Sequence, residues 1–168
     1  QSPYPSLFQA QPQVQDQVSK GANEFFIQGN IDYGMEFAEL RLYLYSRIAW
    51  NPNVDVSATI DDFLKNYYGA AAPYIRKYID RITEEYEKTK SVKPLIINTP
   101  PSYYQDTYLS QKNLEEYNRI FDQAEDVVKD DETFARHVHL ARMPLHFAEM
   151  EIAKHNMYGP QGWWDKTG

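Results

Sequence analysis

From about Asp32 onward the apolar residues return every three or four positions, and this period confines most of the chain to helices. Phe37, Leu40, Leu44 and Ile48 form one stripe, with Tyr43 and Trp50 beside it. Asn51-Pro52-Asn53 ends that helix, because the residue before a proline is pushed out of the α region. A second helix is expected with Ser57 as its N-cap, Ile60, Phe63, Leu64 and Tyr67 as its apolar face, and Gly69 closing it. The third begins near Ala70, with Pro73 tolerated in its first turn and Ile75, Tyr78, Ile79, Ile82 and Tyr86 along one side. Residues 89–110 interrupt the pattern with Pro94, Pro100 and Pro101 and with Tyr103, Tyr104 and Tyr108. They predict a long connection in which Val92–Ile97 packs down over the helices. Ser110 then caps a fourth helix, whose stripe is Leu114, Tyr117, Phe121, Ala124 and Val128. Asp130 or Asp131 opens a fifth segment running to about Met157. Pro144 lies inside it, removes one backbone donor and presses on the carbonyl of Leu140, so a kink or short break is expected there.

The first thirty residues follow other rules. Residues 1–20 hold six glutamines and three prolines, which reads as a polar tail. Pro12 also suits the first turn of a short helix through Val14 and Val18, ended by Gly21. Asn23-Glu24-Phe25-Phe26-Ile27-Gln28-Gly29-Asn30 is a short apolar run closed by a turn signal, and it predicts one strand. The expected fold is therefore all-α: an irregular array of five or six helices over residues 31–168, preceded by an extended or strand segment over residues 1–30. A chain that opens at Gln1 without a leader reads as a processed or trimmed product.

Length and charge exclude whole classes. A complete barrel of eight strands and eight helices takes about 250 residues, and this chain has 168. A formal net charge of -7 gives no general pull toward a phosphate backbone, so no nucleic-acid partner is expected. No stretch approaches the roughly 18 apolar residues of a membrane span. The absence of cysteine removes disulfides, thiolate zinc sites and thiol nucleophiles.

The candidate sites are few. His139, Met143, His146 and Glu149 share part of one helix, but the zinc spacing of two histidines at i and i+4 with a glutamate between is absent. No metal and no cofactor is expected. Glu36 and Glu39 lie on one helix, so they do not flank a sugar as glycoside hydrolysis requires. No catalytic residue is therefore assigned. Gln28 and Asn30 end the expected strand and are candidates for a substrate cleft. Tyr103, Tyr104 and Trp163 are candidates for contact with a sugar ring, or for contact with a neighbouring domain. Arg142, Pro144, Trp50 and Gly69 are read as structural, with the planar fork of Arg142 holding a carboxylate or a carbonyl.

Several runs resemble a known family. Glu36-Phe37-Ala38-Glu39-Leu40-Arg41, Ala49-Trp50-Asn51-Pro52, Asp62-Phe63-Leu64 and Tyr67-Tyr68-Gly69-Ala70-Ala71-Ala72-Pro73 carry the likeness, with Arg142-Met143-Pro144-Leu145 near the other end. They are similar to large Bacteroidetes proteins that are glycoside-hydrolase-like and carried as a domain of unknown function. In that family a barrel resembling those of alpha-glucuronidases and beta-hexosaminidases precedes a helical region. The resemblance spans roughly residues 20–158. It implies that Phe25–Asn30 is the last barrel strand, that residues 1–20 are similar to the seventh strand and helix, and that strands one to six and most catalytic positions lie elsewhere. It further implies export to the periplasm or cell surface and an upstream barrel of the same parent as partner. The function it implies is a non-catalytic helical accessory domain of a polysaccharide-processing protein. The alternatives are a carbohydrate-binding helical module for an oligo- or polysaccharide, and a helical protein–protein module or homodimer.

Overall fold

Two of the helices start where an aspartate side chain satisfies the first free amides. The computed structural model describes residues 2–27, 35–96 and 98–156. Among these residues there are six α-helices and no strand: α1 Ala10–Ser19, α2 Ala38–Trp50, α3 Val56–Tyr68, α4 Ala72–Glu87, α5 Gln111–Asp126 and α6 Glu132–His155. Short 3₁₀ turns cover Leu7–Gln9, Gly69–Ala71 and Pro101–Tyr104. Asp55 caps α3 by accepting from the amide of Ala58 at 3.0 Å. Asp131 caps α6 by accepting from Thr133 and Phe134, each at 3.0 Å. The start of α3 therefore lies ahead of Ser57, because Asp55 does the capping and brings Val56 into the core. Ser110 holds the N-cap position of α5 with an extended backbone but makes no side-chain cap bond.

Consecutive helices pack on one another, α2 on α3, α3 on α4, α4 on α5 and α5 on α6, while α6 returns to touch α3. The core runs through them all: Leu40, Leu44 and Ile48 from α2, Ile60 and Leu64 from α3, Ile75, Tyr78 and Ile79 from α4, Tyr117 and Phe121 from α5, Val138, Leu145 and Ile152 from α6. Much of the tyrosine is core with its hydroxyl satisfied. Tyr117 donates to the carbonyl of Tyr108 at 3.0 Å, and Tyr108 donates to the carbonyl of Pro3 at 3.2 Å. Burial pushes both phenols far above the usual range and keeps them neutral.

Gly69 sits where only glycine fits. Its φ of 55° lies in the left-handed region, and a Cβ would stand 2.6 Å from the ring of Phe134. That turn separates α3 from α4.

Five expectations need correction. The N-terminal segment is not extended: Leu7–Gln9 and α1 are helical, and Leu7 and Val14 join the common core. Pro12 in the first turn and Gly21 at φ 94° mark that helix as the sequence allows. The strand expected over residues 23–30 is irregular from 22 to 27, since no second strand is present among the described residues to pair with it. The rest of that run lies outside the described residues. Trp50 does not flank the core; it is 92% exposed, because it stands two positions, about 200°, round the helix from buried Ile48. Val92 and Ile96 point outward and only Leu95 of that segment packs on the core, while Ile97 lies outside the described residues. Pro144 brings no break: α6 is continuous through it, with Pro144 itself buried.

Candidate functional site

A half-open cleft of about 730 Å³ lies between α2, α6 and the N-terminal segment. One wall is a second face of α2, formed by Leu42, Tyr45, Ser46 and Ala49. The helical period puts these residues in line, one step round from the buried stripe of Leu40, Leu44 and Ile48. Opposite stand Phe147 and Glu151 of α6. The floor is the N-terminal segment Ser2–Ser6 with Tyr104 and Tyr108, and the rim carries Phe25, Ile27, Ile96, Asn98 and Thr99.

A buried arginine holds this floor in place. Arg41 donates from Nε to the carbonyl of Glu36 (3.0 Å), from Nη1 to Ser6 Oγ (2.9 Å) and Tyr45 Oη (3.3 Å), and from Nη2 to the carbonyl of Tyr4 (2.5 Å) and Glu36 Oε2 (2.8 Å). All five N–H groups of the guanidinium are thereby used. Glu36 Oε2 also accepts from the amide of Tyr4 at 2.7 Å. The pair is buried, with 14% of the arginine side chain and 5% of the glutamate exposed. Burial works against the charged guanidinium more than any other single cause, but the Glu36 carboxylate and Tyr45, through charge and hydrogen bonds, together outweigh it and leave Arg41 above its ordinary value. The backbone is bent to allow this. Phe37, at the N-cap of α2, adopts φ 51°, and that reversal brings Glu36 back over a residue five positions on. A left-handed non-glycine residue costs roughly 1–2 kcal/mol, offset here by the burial of the Phe37 ring against Tyr78 at 6.0 Å.

A second polar centre joins α3 to α6. His137 stacks on Tyr67 with ring centroids 3.8 Å apart and an 8° interplanar angle. Its Nδ1 lies 2.7 Å from the Tyr67 carbonyl. A carbonyl oxygen can only accept, so Nδ1 carries the proton in this bond and caps the last turn of α3. Phe63 stacks on the other side of Tyr67 at 4.9 Å, and Tyr43 lies 5.5 Å from Phe63.

The residues singled out in the sequence fall as follows. Gln28, Asn30 and Trp163 lie outside the described residues. Tyr104 is buried, and its hydroxyl accepts from the amide of Ile96 at 2.9 Å and meets the carbonyl of Pro94 at 3.1 Å, so it lines the cleft without being an open platform. Tyr103 is 39% exposed, edge-on to Tyr104, with Lys93 Nζ 5.0 Å from its ring centre. Arg142 ties α6 to α5 through Asp122 and Glu125, each at 2.8 Å, and Asn118 at 2.7 Å; its buried Nε has no partner. His139, Met143 and His146 face outward, and Glu149 accepts from Asn118. No cluster of three metal-ligating side chains exists among the described residues. Glu36 and Glu39 part company: Glu36 enters the Arg41 clasp, while Glu39 is exposed beside Tyr67 and His137. The clasp was missed as a site. Its signal in the sequence is a glutamate and an arginine five apart, bracketing the start of a helix, a spacing an ordinary helix does not bring together.

The comparisons with known proteins bear on half of this cleft. Residues 1–80 match the family model described as a domain of unknown function (DUF4838). The match takes in the Ser2–Ser6 part of the floor, the clasp and the α2 wall, and leaves out Tyr104 and Tyr108, the Ile96–Thr99 rim and the α6 side. No curated protein and no solved structure matches the chain. No helix among the described residues is long and apolar enough to cross a membrane.

Proposed function

We propose that the chain is a non-catalytic helical accessory domain of a larger, glycoside-hydrolase-like, polysaccharide-processing protein that is exported to the periplasm or cell surface. The observation that supports this reading is the state of the cleft's carboxylates. Hydrolysis of a glycoside needs two carboxyl groups facing each other with free oxygens about 5–9.5 Å apart. The described lining offers Glu36 and Glu151 only. Glu36 Oε2 is taken by Arg41 and Tyr4, and Glu151 is paired with Lys154 at 2.5 Å. Among the described residues of the cleft no acid and base stand set to act. Incubation of the pure chain with a panel of aryl glycosides tests this. No release of the aryl group is expected, and turnover that follows the chain through purification overturns the reading.

Phe26 and Trp50, each 92% exposed, favour a second reading as a protein–protein module or homodimer. Light scattering across a concentration series separates the two. A strict monomer removes the dimer.

A further inference from the structure

We propose that the cleft beside the Arg41 clasp is a binding site for an uncharged, ring-bearing small molecule with an acceptor oxygen at its buried end. A cleft of about 730 Å³ has the size of a site for such a ligand. Its chemistry is set by how Arg41 uses its donors. A hydroxyl has one proton to give and lone pairs to accept with. Arg41 Nη1 fills the acceptor side of both Ser6 Oγ and Tyr45 Oη. No acceptor for either proton lies among the described residues. The floor is thus a pair of fixed hydroxyls left to donate. Tyr4 adds a third hydroxyl to the lining, a phenol that burial raises above its ordinary value.

Charge complementarity excludes the ions. Arg41 is balanced by Glu36 and has no N–H left for an anion. Among the described lining a cation meets Glu36, taken by Arg41, and Glu151, which already has Lys154. The walls offer carbon, from Leu42, Ala49 and Phe147 among others, so apolar surface on the ligand is rewarded and hydroxyls around a ring are stranded. A free pyranoside is therefore a poorer occupant than an arene or alicycle with a single carbonyl or ether oxygen.

The test is a chemical-shift titration of the whole chain with four probes: acetophenone, ethylbenzene, benzoate and methyl β-glucopyranoside. Acetophenone is expected to bind in the millimolar range, and ethylbenzene, the same shape without the acceptor, about tenfold more weakly. Benzoate and the glucoside are expected to bind more weakly than acetophenone. Tyr45→Phe keeps the ring and removes the hydroxyl, both its proton and its long 3.3 Å acceptor contact with Arg41 Nη1, and is expected to weaken acetophenone about three- to tenfold while leaving ethylbenzene unchanged. Leu42→Trp, at a 55% exposed position, fills the cleft without disturbing the core and is expected to block both. Equal affinities for acetophenone and ethylbenzene, tighter binding of benzoate or glucoside, indifference to Tyr45→Phe, or no binding of any probe overturns the proposal. The glycoside assay is independent of all these outcomes.

Discussion

Replacing Arg41 with methionine removes one half of a buried ion pair and leaves the other. Glu36, with 5% of its side chain exposed, is then left beside Tyr78 and the Tyr4 amide without its cationic partner. Breaking a buried pair in this way costs about 3–5 kcal/mol. For a chain of this size each kcal/mol moves the midpoint by about 2–4 °C, so thermal unfolding is expected roughly 6–20 °C lower. Replacing both partners, Arg41→Met with Glu36→Gln, removes the stranded charge and is expected to recover about half of the loss. Urea unfolding of the two single variants and the double variant gives the coupling directly. Hydrogen exchange at the Tyr4 amide, which donates to Glu36 Oε2, reports whether the N-terminal segment has come loose. A loss below about 1 kcal/mol in Arg41→Met, or additive single effects, refutes the view that this pair carries the floor of the cleft.

Three more outcomes are open to measurement. Gly69→Ala forces a left-handed backbone on a residue with a Cβ and drives that Cβ into Phe134, so a loss of about 2–3 kcal/mol is expected by urea unfolding. His137→Ala removes the cap on the Tyr67 carbonyl and a stacked ring, with an expected cost of about 1–2 kcal/mol that Tyr43→Ala, which leaves that cap and stack untouched, does not reproduce. The hydrogen bond from Lys88, and the nearby Arg81 charge, hold the Glu85 carboxyl below its ordinary value of 4.5. A depressed carboxyl contributes stability that is present above the unfolded value and is lost as pH falls through the folded one. Stability should therefore drop on acidification below about 4.5, and Glu85→Gln should show a shallower drop over the same window.

The helices were legible because their physics is local. The stripe of Ile75, Tyr78, Ile79, Ile82 and Tyr86 names a helix and its buried face from spacing alone, and each of the five is buried. Gly69 and Asp131 announce a stop and a start through backbone and cap chemistry that needs no partner. What could not be read depends on residues far apart in the chain. The rings of Tyr67 and His137 are 70 positions apart, and nothing in either neighbourhood names the other. The cleft is lined from five stretches of sequence, within 2–6, 25–27, 35–49, 96–108 and 147–151. Its α2 wall hides in plain sight, since Leu42, Tyr45 and Ala49 look like the fringe of the core stripe. Trp50 misled for the opposite reason: size and apolarity suggest burial, and only its angle on the helix denies it.

The hydroxyl of Tyr108 reaches the carbonyl of Pro3 across 105 positions of chain. Closing a loop of that length carries an entropic cost that only late, long-range contacts return. The helices can therefore form and pair while residues 2–6 are still undocked, and such a species keeps nearly all its helical dichroism. It lacks the floor of the cleft. Binding of a probe there is thus a stricter measure of folding than helix content, and it separates the finished molecule from one that is helical but unclasped.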